Sequence, residues 1–359
     1  MLRKSGRALR WALAAGAMAV PAAAQAPAGG EIHGRVTERG SGAPVPFTVV
    51  RLLAGDTTRP ALATTLTDSA GAFRLQAAAP GSYRLGLARV GVQGATSPAV
   101  EVGPGASVKH DLAVTMGAVM LPALVVGERC HTADQLDEAP ALAALWREAQ
   151  KAGDVRRAFD HAYRYSYDWQ QDLTASLRLL RDRRMVKRRT VTNVPAETRA
   201  RDARLREMRA SVGYGSTEGG LNLDPPDLPE LLGADFLRTH CVFAAPEPLA
   251  GAWGVRFRPV GAPREGRVDL QGTLWIGQDD FEVRAFDYQY LRQGRPFGGG
   301  RITYTDVAVP GGTIRLPSRV QFRLSGRVLG ARAAVVSDLH GSVSLTGHRD
   351  FTRTPPPGS

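Results

Sequence analysis

Residues 67–90 read TDSAGAFRLQAAAPGSYRLGLARV, and this stretch holds strand patterns separated by turn residues. Residues 68–71 combine Asp, Ser and Gly, which suit the tight backbone of a turn. Further on, Tyr83, Leu85 and Leu87 alternate with small or polar residues. This period of two is typical of a strand that buries one face and exposes the other. The stretch therefore predicts short strands joined by tight turns.

The same spacing continues on both sides of this stretch. Between residues 31 and 114, runs rich in Val, Thr, Leu and Phe alternate with Gly, Pro, Asp and Ser clusters about every 8–12 residues. Strands at this spacing predict a small β-sandwich, to which we assign residues 27–116. The predicted strands span residues 32–36, 48–53, 62–67, 72–75, 83–90, 99–102 and 108–114.

Five short motifs in this region resemble those of the carboxypeptidase regulatory-like domain. They are GRV (34–36), GAPVP (42–46), VVRL (49–52), TDSAGAF (67–73) and PGSYRL (80–85). The resemblance implies an Ig- or prealbumin-like sandwich, found at the N-terminus of many bacterial envelope proteins, with Phe73 and Tyr83 in its core. It also implies a non-catalytic module, because this domain is an appendage of the peptidases that name the family. The fold is also grouped with carbohydrate-binding sandwiches.

The N-terminus has the pattern of an export signal. Four basic residues precede an apolar run at 11–24, and small residues suited to cleavage occur around Ala24 and Ala26. The run is shorter than the roughly 20 residues that cross a bilayer as a helix, so a cleaved signal peptide over residues 1–26 is favoured over an uncleaved anchor. We therefore expect an exported protein, in the periplasm or associated with the outer membrane.

Basic residues are concentrated in the middle of the chain. The formal net charge is +12, and residues 147–209 hold 17 basic against 9 acidic residues. The densest part, residues 178–189, favours contact with an envelope polyanion: an anionic lipid, lipopolysaccharide or an acidic polysaccharide. Nucleic acid is not an expected partner in that compartment. The alternative is a solvated face, because only 4 of the 46 basic residues are Lys and Arg is abundant throughout the chain.

Two patterns follow each other in residues 139–194. Apolar residues at helical spacing over 139–152 predict a helix of about three to four turns. From Phe159 to Trp169, aromatic residues and one His occupy every odd position, which predicts one long strand with an aromatic face. That face has two interpretations, core packing or a platform that stacks on sugar rings. The candidate stacking residues are Tyr163, Tyr165, Tyr167 and Trp275.

The remaining chain predicts a flexible insert at 195–229, an antiparallel meander at 230–350 and a frayed tail at 351–359. Residues 197–209 of the insert also fit a short charged helix. The hairpin at 272–284 is similar to curved-sheet lipoprotein carriers, which bind acyl chains. The fold class is therefore mainly β: a sandwich, a short helical segment and a C-terminal antiparallel sheet. The predicted strands of the meander span residues 253–260, 268–276, 281–291, 301–309, 313–324 and 335–346, with a hairpin connection at 298–300.

The sequence holds no recognisable catalytic constellation. It lacks the His-x-x-Glu or His-Glu-x-x-His pattern of zinc peptidases, the Gly-x-Ser-x-Gly nucleophile turn and the phosphate-binding Gly loop. Asp279 and Asp280 fit a turn better than a calcium site, which would need further carboxylates and a following Gly. We therefore expect neither an enzyme, nor a bound metal, nor a cofactor.

Cys130 and Cys241 are the two cysteines of the chain. In an oxidising compartment they most simply form a disulfide, which would clamp the linker at 117–138 to the start of the meander. Zinc is an alternative, because His131 and His240 adjoin the cysteines, although adjacent residues of a strand point to opposite faces. Two free thiols are the third alternative.

These observations favour an exported, non-catalytic envelope protein that binds a ligand, with a glycan expected first, or that serves in outer-membrane assembly. An acyl-chain or lipoprotein carrier is the alternative and would need an apolar groove on the C-terminal sheet. Residues 121–129 resemble the segment that follows this module in TonB-dependent receptors, so a relic of such a receptor is a further alternative. An accessory domain of a hydrolase is less favoured.

Overall fold

The computed structural model describes residues 29–55, 60–117, 127, 129–177, 180–216, 222–223, 225–246, 249–309, 312–328 and 331–344. The predicted signal peptide at 1–26, the run at 121–126 and the tail at 351–359 lie outside these residues. The described chain is mainly β, with a sandwich, a helical segment and a large antiparallel sheet in that order, as predicted. None of the helices among the described residues combines the length and apolar character that a membrane span requires.

Among the described residues, nine strands form the sandwich: β1 (Gly30–Glu38), β2 (Val49–Ala54), β3 (Ala63–Leu66), β4 (Ala72–Ala77), β5 (Gly81–Ala88), β6 (Ala95–Thr96), β7 (Val100–Val102), β8 (Ser107–Lys109) and β9 (Leu112–Val114). β1 pairs with β4, β8 and β9 in one sheet. β2 and β5 form the centre of the other sheet, flanked by β3, β6 and β7. The predicted strands are confirmed, except that residues 108–114 divide between two shorter strands.

The sandwich core is mostly aliphatic, and Phe73 and Tyr83 are buried in it, as the motifs imply. Asp68 holds the turn before β4, because its Oδ1 accepts two backbone N–H groups at 2.9 Å each. Gly71 in the same turn has a φ of 71°, and a Cβ there would overlap a carbonyl oxygen of β1. The close approach of turn and strand therefore requires glycine at this position.

A long helix, α1 (Pro140–Ala162), follows the sandwich and starts with a proline, which loses no hydrogen bond at that position. The predicted end at residue 152 is wrong. Gly153 continues the helix and allows close packing, because a Cβ there would lie 2.7 Å from the Cβ of Leu232. Phe159 therefore lies on the helix, and the predicted long aromatic strand begins only at Tyr165.

Part of the predicted flexible insert forms a second helix, α2 (Pro195–Ser211), in agreement with the alternative of a charged helix. Polar contacts hold it against the end of α1. His161 Nε2 and Asp202 Oδ2 lie 2.8 Å apart, and Arg199 donates to the His161 carbonyl oxygen at 2.6 Å. The shorter helices are α3 (Leu228–Leu231) and two 3-10 segments, Ala133–Glu138 and Phe236–Arg238.

The second β unit contains these strands: β10 (Tyr165–Leu177), β11 (Leu180–Asn193), β14 (His240–Ala244), β15 (Ala252–Pro259), β16 (Val268–Gly277), β17 (Val283–Arg292), β18 (Arg295–Val309), β19 (Gly312–Val328) and β20 (Ala331–Ser344), while β12 (Gly215–Ser216) and β13 (Asn222–Leu223) form a separate pair. The nine strands are antiparallel in the order β11-β10-β20-β19-β18-β17-β16-β15-β14. The meander is confirmed, and the Arg-rich run, not predicted as a strand, forms edge strand β11.

One predicted connection of the meander is wrong. Residues 298–300 lie inside β18 and pair with β17 and β19. The three glycines serve close strand packing here, since a Cβ at Gly300 would overlap the carbonyl oxygen of Gln321. The actual connection between β17 and β18 lies at residues 293–294, where Gln293 and Gly294 both have positive φ.

The face of the nine-stranded sheet that packs on α1 is its inner face, and the opposite face is its outer face. Trp146 of α1 and Phe257, Leu274 and Phe286 of the sheet belong to one buried cluster on the inner side. A second cluster joins the two β units, with members from the sandwich (Phe47, Val49, Leu66), α1 (Phe159) and β19 (Ile314, Leu316). The sandwich and the sheet therefore share part of a core.

Candidate functional site

Cys130 and Cys241 form a disulfide, as predicted, with their Cα atoms 5.3 Å apart. Beside the disulfide, the backbones of His131 and Val242 exchange N–H···O hydrogen bonds of 2.8 and 2.9 Å. The linker is thus attached to β14 by a covalent bond and two hydrogen bonds. Because both sulfur atoms are used in the disulfide, neither the zinc alternative nor the alternative of free thiols agrees with this structure.

His240, next to the disulfide, is a core residue. Its ring stacks on Phe236 with centroids 4.1 Å apart, and its Nε2 lies 3.2 Å from the carbonyl oxygen of Leu270. Burial lowers the pKa of His240 to about 4, so the imidazole is neutral at neutral pH. Among the described residues, no group of three or more His, Cys, Asp or Glu side chains is placed to hold a metal ion.

The three candidate stacking tyrosines are buried, which contradicts the interpretation as a ligand platform. Tyr163, Tyr165 and Tyr167 are 9%, 2% and 8% exposed. Phe159 stacks on Tyr163 with ring centroids 4.6 Å apart, and Tyr165 meets Tyr167 edge to face at 5.4 Å. The rings are enclosed by their neighbours and offer no free face to a sugar. They belong to the core, which was the other interpretation of the aromatic pattern.

The buried hydroxyl group of Tyr165 is hydrogen-bonded to a buried ion pair. Arg156 and Asp160 lie one turn apart on α1, and the Nε of Arg156 donates to Asp160 Oδ1 at 2.9 Å. The Tyr165 hydroxyl donates to the same Oδ1 at 2.5 Å. Burial and the neighbouring Asp160 carboxylate raise the pKa of Tyr165, so the phenol stays protonated. The three groups satisfy one another and have a structural role.

Trp275, the fourth candidate, lies on the outer face and is half-buried. Its ring covers Gly254 of the neighbouring strand, because a Cβ at Gly254 would lie 2.9 Å from ring atom Cζ3. Its Nε1 donates to Asp287 Oδ2 at 2.7 Å. Arg301 donates to the two oxygens of Asp287 at 2.6 Å each. The indole is therefore held in one orientation while part of it stays accessible to solvent.

A groove of about 840 Å³, the outer groove, lies on the same face next to Trp275. Thr273 and Asp287 line it close to the indole. Further along, Gln271 Nε2 donates to Gln289 Oε1 at 2.7 Å across β16 and β17. Residues 298–300 contribute three glycines, which leave that part of the groove without side chains. The lining thus includes amides and a hydroxyl, both of which form hydrogen bonds with neutral polar groups.

The outer groove also carries unpaired positive charge. Arg256, Arg258 and Arg323 line it, and none of them forms an ion pair with any described carboxylate. Arg258 lies over the ring of Phe243 at 5.7 Å from its centroid. Asp287 is the one acidic residue of the described lining, and Arg301 compensates its charge. The groove therefore attracts anions.

A second cavity, of about 610 Å³, lies where the sandwich, α1 and the sheet meet, and we term it the junction cavity. Arg315 of β19 lines it and donates two hydrogen bonds to Asp306, of 2.9 and 2.8 Å. Its third nitrogen, Nη1, is buried without a hydrogen-bond partner. Glu282 lines the same cavity, and its carboxyl group has no hydrogen-bond donor among the described residues. Two polar groups are thus left for a ligand or water.

The protonation of Glu282 is perturbed by its surroundings. Burial raises the pKa of Glu282 to about 7, Arg315 acts in the opposite direction, and the carboxylates of Asp280 and Asp306 add to the rise. Asp280 accepts the backbone N–H of Glu282 at 3.1 Å, which is the turn use predicted for it. The sequence analysis did not identify Glu282 and Arg315 as site residues. Each lies next to ordinary strand residues in sequence, and the two line one cavity only in the folded chain.

Comparison with solved structures gives only distant similarities. A proposed carbohydrate-binding protein from Bacteroides uniformis is 9% identical, with 73% of this chain and 96% of that chain covered and a TM-score of 0.22. A DUF1329 family protein from Desulfovibrio piger is 10% identical, with 55% and 92% covered and a TM-score of 0.25. A proposed membrane-associated protein of unknown function from Bacteroides fragilis is 12% identical, with 89% and 99% covered and a TM-score of 0.19. Such scores support no statement on function.

No curated protein matches the sequence significantly. A family model does match: that of the carboxypeptidase regulatory-like domain, over residues 31–115. This range coincides with β1 to β9 and includes the motifs at the Asp68 turn and around Tyr83. Residues 31–115 are therefore a carboxypeptidase regulatory-like domain, which in this chain is followed by a nine-stranded antiparallel sheet.

Proposed function

We propose that this chain is an exported, non-catalytic protein of the bacterial envelope and that its outer groove binds an acidic glycan. The observation that carries the proposal is the chemistry of the groove. Three arginines without an ion pair among the described residues and a linked pair of glutamines line one concave surface, and an oriented tryptophan lies beside it on the same face of the sheet.

Neutral parts of a glycan fit the central part of the groove. Sugar hydroxyls are both donors and acceptors, and the amides of Gln271 and Gln289 offer both functions side by side. The Thr273 hydroxyl extends this polar surface, and the glycines of β18 place no side chain in its way. The half-buried indole of Trp275 offers an apolar surface for the C–H groups of a sugar ring, and its orientation is fixed by Asp287.

Acidic substituents fit the arginines. Arg256, Arg258 and Arg323 form no ion pair with a carboxylate among the described residues, so an incoming carboxylate or phosphate need not displace one of those carboxylates. A guanidinium group binds such oxyanions through two parallel hydrogen bonds. Acidic polysaccharides are among the polyanions of the compartment to which the predicted signal peptide directs the chain.

The carrier alternative has less support from the sheet. Over strands β14 to β18, the inner face is filled by Trp146 and Leu145 of α1 together with the sheet's own Phe257, Leu274 and Phe286. An acyl chain would have to displace these side chains from a packed core. The possible relic of a TonB-dependent receptor rests on residues 121–129, most of which lie outside the described residues, and stays a prediction.

The binding proposal is tested by titrating the purified chain with polygalacturonate and, as a neutral comparison, dextran. We expect binding of polygalacturonate that weakens as salt is raised, and much weaker binding of dextran. The double variant R258A/R323A and the single variant W275A should each reduce affinity about tenfold, a loss of about 1.4 kcal/mol. Arg204 is exposed on α2 outside the groove, so R204A is the matched control. Equal affinity of all variants would contradict the proposal.

The export proposal has its own test. Intact mass of the protein recovered from the periplasm of an expressing bacterium should lack residues up to Ala24 or Ala26. Recovery of the full-length chain from the cytoplasm alone would contradict it.

A further inference from the structure

The junction cavity is a built site between three parts of the fold. Phe47 of the sandwich, Val155 of α1 and Phe281 before β17 form apolar walls. Its volume of about 610 Å³ lies within the range of small-molecule sites, about 300–1,000 Å³. The site lies apart from the outer groove, and the two cavities share no lining residue within the described part of the chain.

The backbone is strained at two of these walls. Phe47 has a φ of 51° and Phe281 a φ of 56°, in the left-handed region that disfavours bulky side chains. Only one other non-glycine residue in the described chain, Gln293, has a positive φ. Such strain costs on the order of 1 kcal/mol or more per residue and is concentrated at functional sites in proteins. Both of these phenylalanines line the junction cavity.

Arg315 presents an unsatisfied hydrogen-bond donor to the cavity, and Arg89 adds a second positive charge to the lining. Arg315 is 8% exposed, its Nε and Nη2 bind Asp306, and its Nη1 has no partner. Arg89 donates from Nη1 to the carbonyl oxygen of Pro46, but no described carboxylate forms an ion pair with it. A buried donor without a partner is costly, so the Nη1 of Arg315 favours an acceptor such as a carboxylate.

The other polar group is the carboxyl group of Glu282. It influences the protonation of Arg89, yet the two side chains lie too far apart to form an ion pair. The cavity is thus lined by a carboxyl group and a guanidinium group that do not contact each other. A ligand with one positive and one negative charge could interact with both groups. The charged groups around Glu282 come from every neighbouring element: Asp279 and Asp280 before β17, Arg284 of β17, Asp306 of β18, Arg315 of β19, Arg89 after β5 and Arg156 of α1.

We propose that the junction cavity binds a small zwitterion, an α-amino acid or short peptide, with its carboxylate on Arg89 and Arg315 and its ammonium group on Glu282. The apolar walls then receive the side chain of the ligand. Because the ligand touches the sandwich, α1 and the sheet at once, its binding also strengthens the contact between the two β units.

Proton linkage distinguishes a zwitterion from other ligands. Near neutral pH, Glu282 is partly protonated because its pKa is about 7. An ammonium group placed against it favours the carboxylate, so binding releases protons. A simple anion bound by the arginines would favour the protonated form and take protons up. A neutral ligand such as a sugar would leave the protonation almost unchanged.

The experiment is calorimetric titration of the whole protein at pH 7 in buffers with different ionisation enthalpies. The probes are glycine, L-leucine, L-phenylalanine and L-alanyl-L-leucine. For the probe that binds best, the N-acetyl derivative lacks the ammonium charge and the amide derivative lacks the carboxylate. We expect proton release for the zwitterion and affinity at least about tenfold lower for each derivative, since each loses one charge-assisted contact. Absence of binding by all four probes, equal binding of the N-acetyl derivative, or proton uptake would overturn the proposal.

Three variants locate the effect. E282Q should abolish proton release and the preference for the zwitterion over its N-acetyl derivative. Glu265 lies exposed in a loop outside the cavity, so E265Q is the matched control and should behave as the original protein does. R258A, in the outer groove, should also leave zwitterion binding unchanged, which separates this site from the proposed glycan site. Loss of zwitterion preference in E265Q, or its retention in E282Q, would contradict the assignment.

Discussion

The sandwich and the nine-stranded sheet are stabilised in different ways. The sandwich buries a cluster drawn from one continuous stretch, from Ile32 to Val114. The main cluster of the sheet draws on residues from Leu136 to Tyr304 and needs α1 to cover it. The difference shows that the main core of the first unit comes from one continuous stretch of sequence, whereas the second unit depends on distant segments and a disulfide. Trp fluorescence follows the second unit alone, because none of the five Trp residues lies in the sandwich.

The largest expected effect is removal of the disulfide. The variant C130A/C241A loses a link between residues 111 apart in sequence, which the chain-entropy model values at about 4–5 kcal/mol. We expect the free energy of unfolding, measured by urea denaturation with Trp fluorescence, to fall by that amount. The midpoint of the transition should move to a lower urea concentration. Far-ultraviolet circular dichroism should retain a second transition from the sandwich. A single transition at an unchanged midpoint would show that the disulfide does not stabilise the second unit.

Two matched leucines test the separation of the cores. Leu85 in the sandwich and Leu274 in the sheet are both fully buried, and truncation of either to Ala should cost about 3 kcal/mol. L274A should lower the Trp-monitored transition directly. L85A should destabilise the sandwich. We therefore expect it to shift the circular dichroism transition and to leave the Trp-monitored transition nearly unchanged. If L85A lowers the Trp transition by the same amount, the shared cluster makes the two units unfold as one.

Acid should destabilise the sheet through His240. The pKa of His240 is about 4 in the folded state and about 6.5 when unfolded, so the unfolded state binds more protons between these values. Stability from this residue is therefore complete above pH 6.5 and falls by up to about 3 kcal/mol as the pH decreases to 4. The variant H240F should show a shallower decrease in Trp-monitored stability over this range. An identical pH profile for both proteins would assign the acid sensitivity to other groups.

Glu282 should give the opposite and smaller pH dependence. Its folded pKa of about 7 exceeds the ordinary value of 4.5, so the folded state binds more protons between these values and stability falls as the pH rises. Since Glu282 is partly exposed to the junction cavity, the effect should be about 1–2 kcal/mol. By urea denaturation, E282Q should thus be more stable than the original protein at pH 8, and the difference should disappear as the pH falls below 4.5. The control E265Q should show no such difference.

The comparison also explains what the sequence could predict. The sandwich strands were predictable because Asp68, Gly71 and the alternating Tyr83 strand act locally, within a few residues of one another. The helix end at residue 152 was wrong because Gly153 serves packing on Leu232, a contact across some 80 residues of chain. The predicted start of the aromatic strand at Phe159 was wrong for a similar reason. The alternating aromatic residues run from Phe159 to Trp169, but the helix continues to Ala162 and the strand begins only at Tyr165.

The candidate sites lie at the limit of sequence reading. The pairing of the cysteines followed from their number and the expected compartment, but the outer groove depends on register, which sets Gln271 against Gln289. The junction cavity depends on three elements meeting. Arg89, Glu282 and Arg315 have no sequence relation that would signal a shared site.

The strand order has a consequence for the timing of assembly. β20 lies between β10 and β19, so the first strands of the sheet to be synthesised gain their partner only when the last strand has been made. Until then, the long hairpin of β10 and β11 can bond only to itself and presents an unpaired backbone edge. Proteins are synthesised from the N-terminus, so residues 331–344 are made after all the other strands of this sheet. A chain that lacks them leaves the β10 edge unpaired. Such an edge can pair with other chains, which exposes the protein to aggregation and proteolysis.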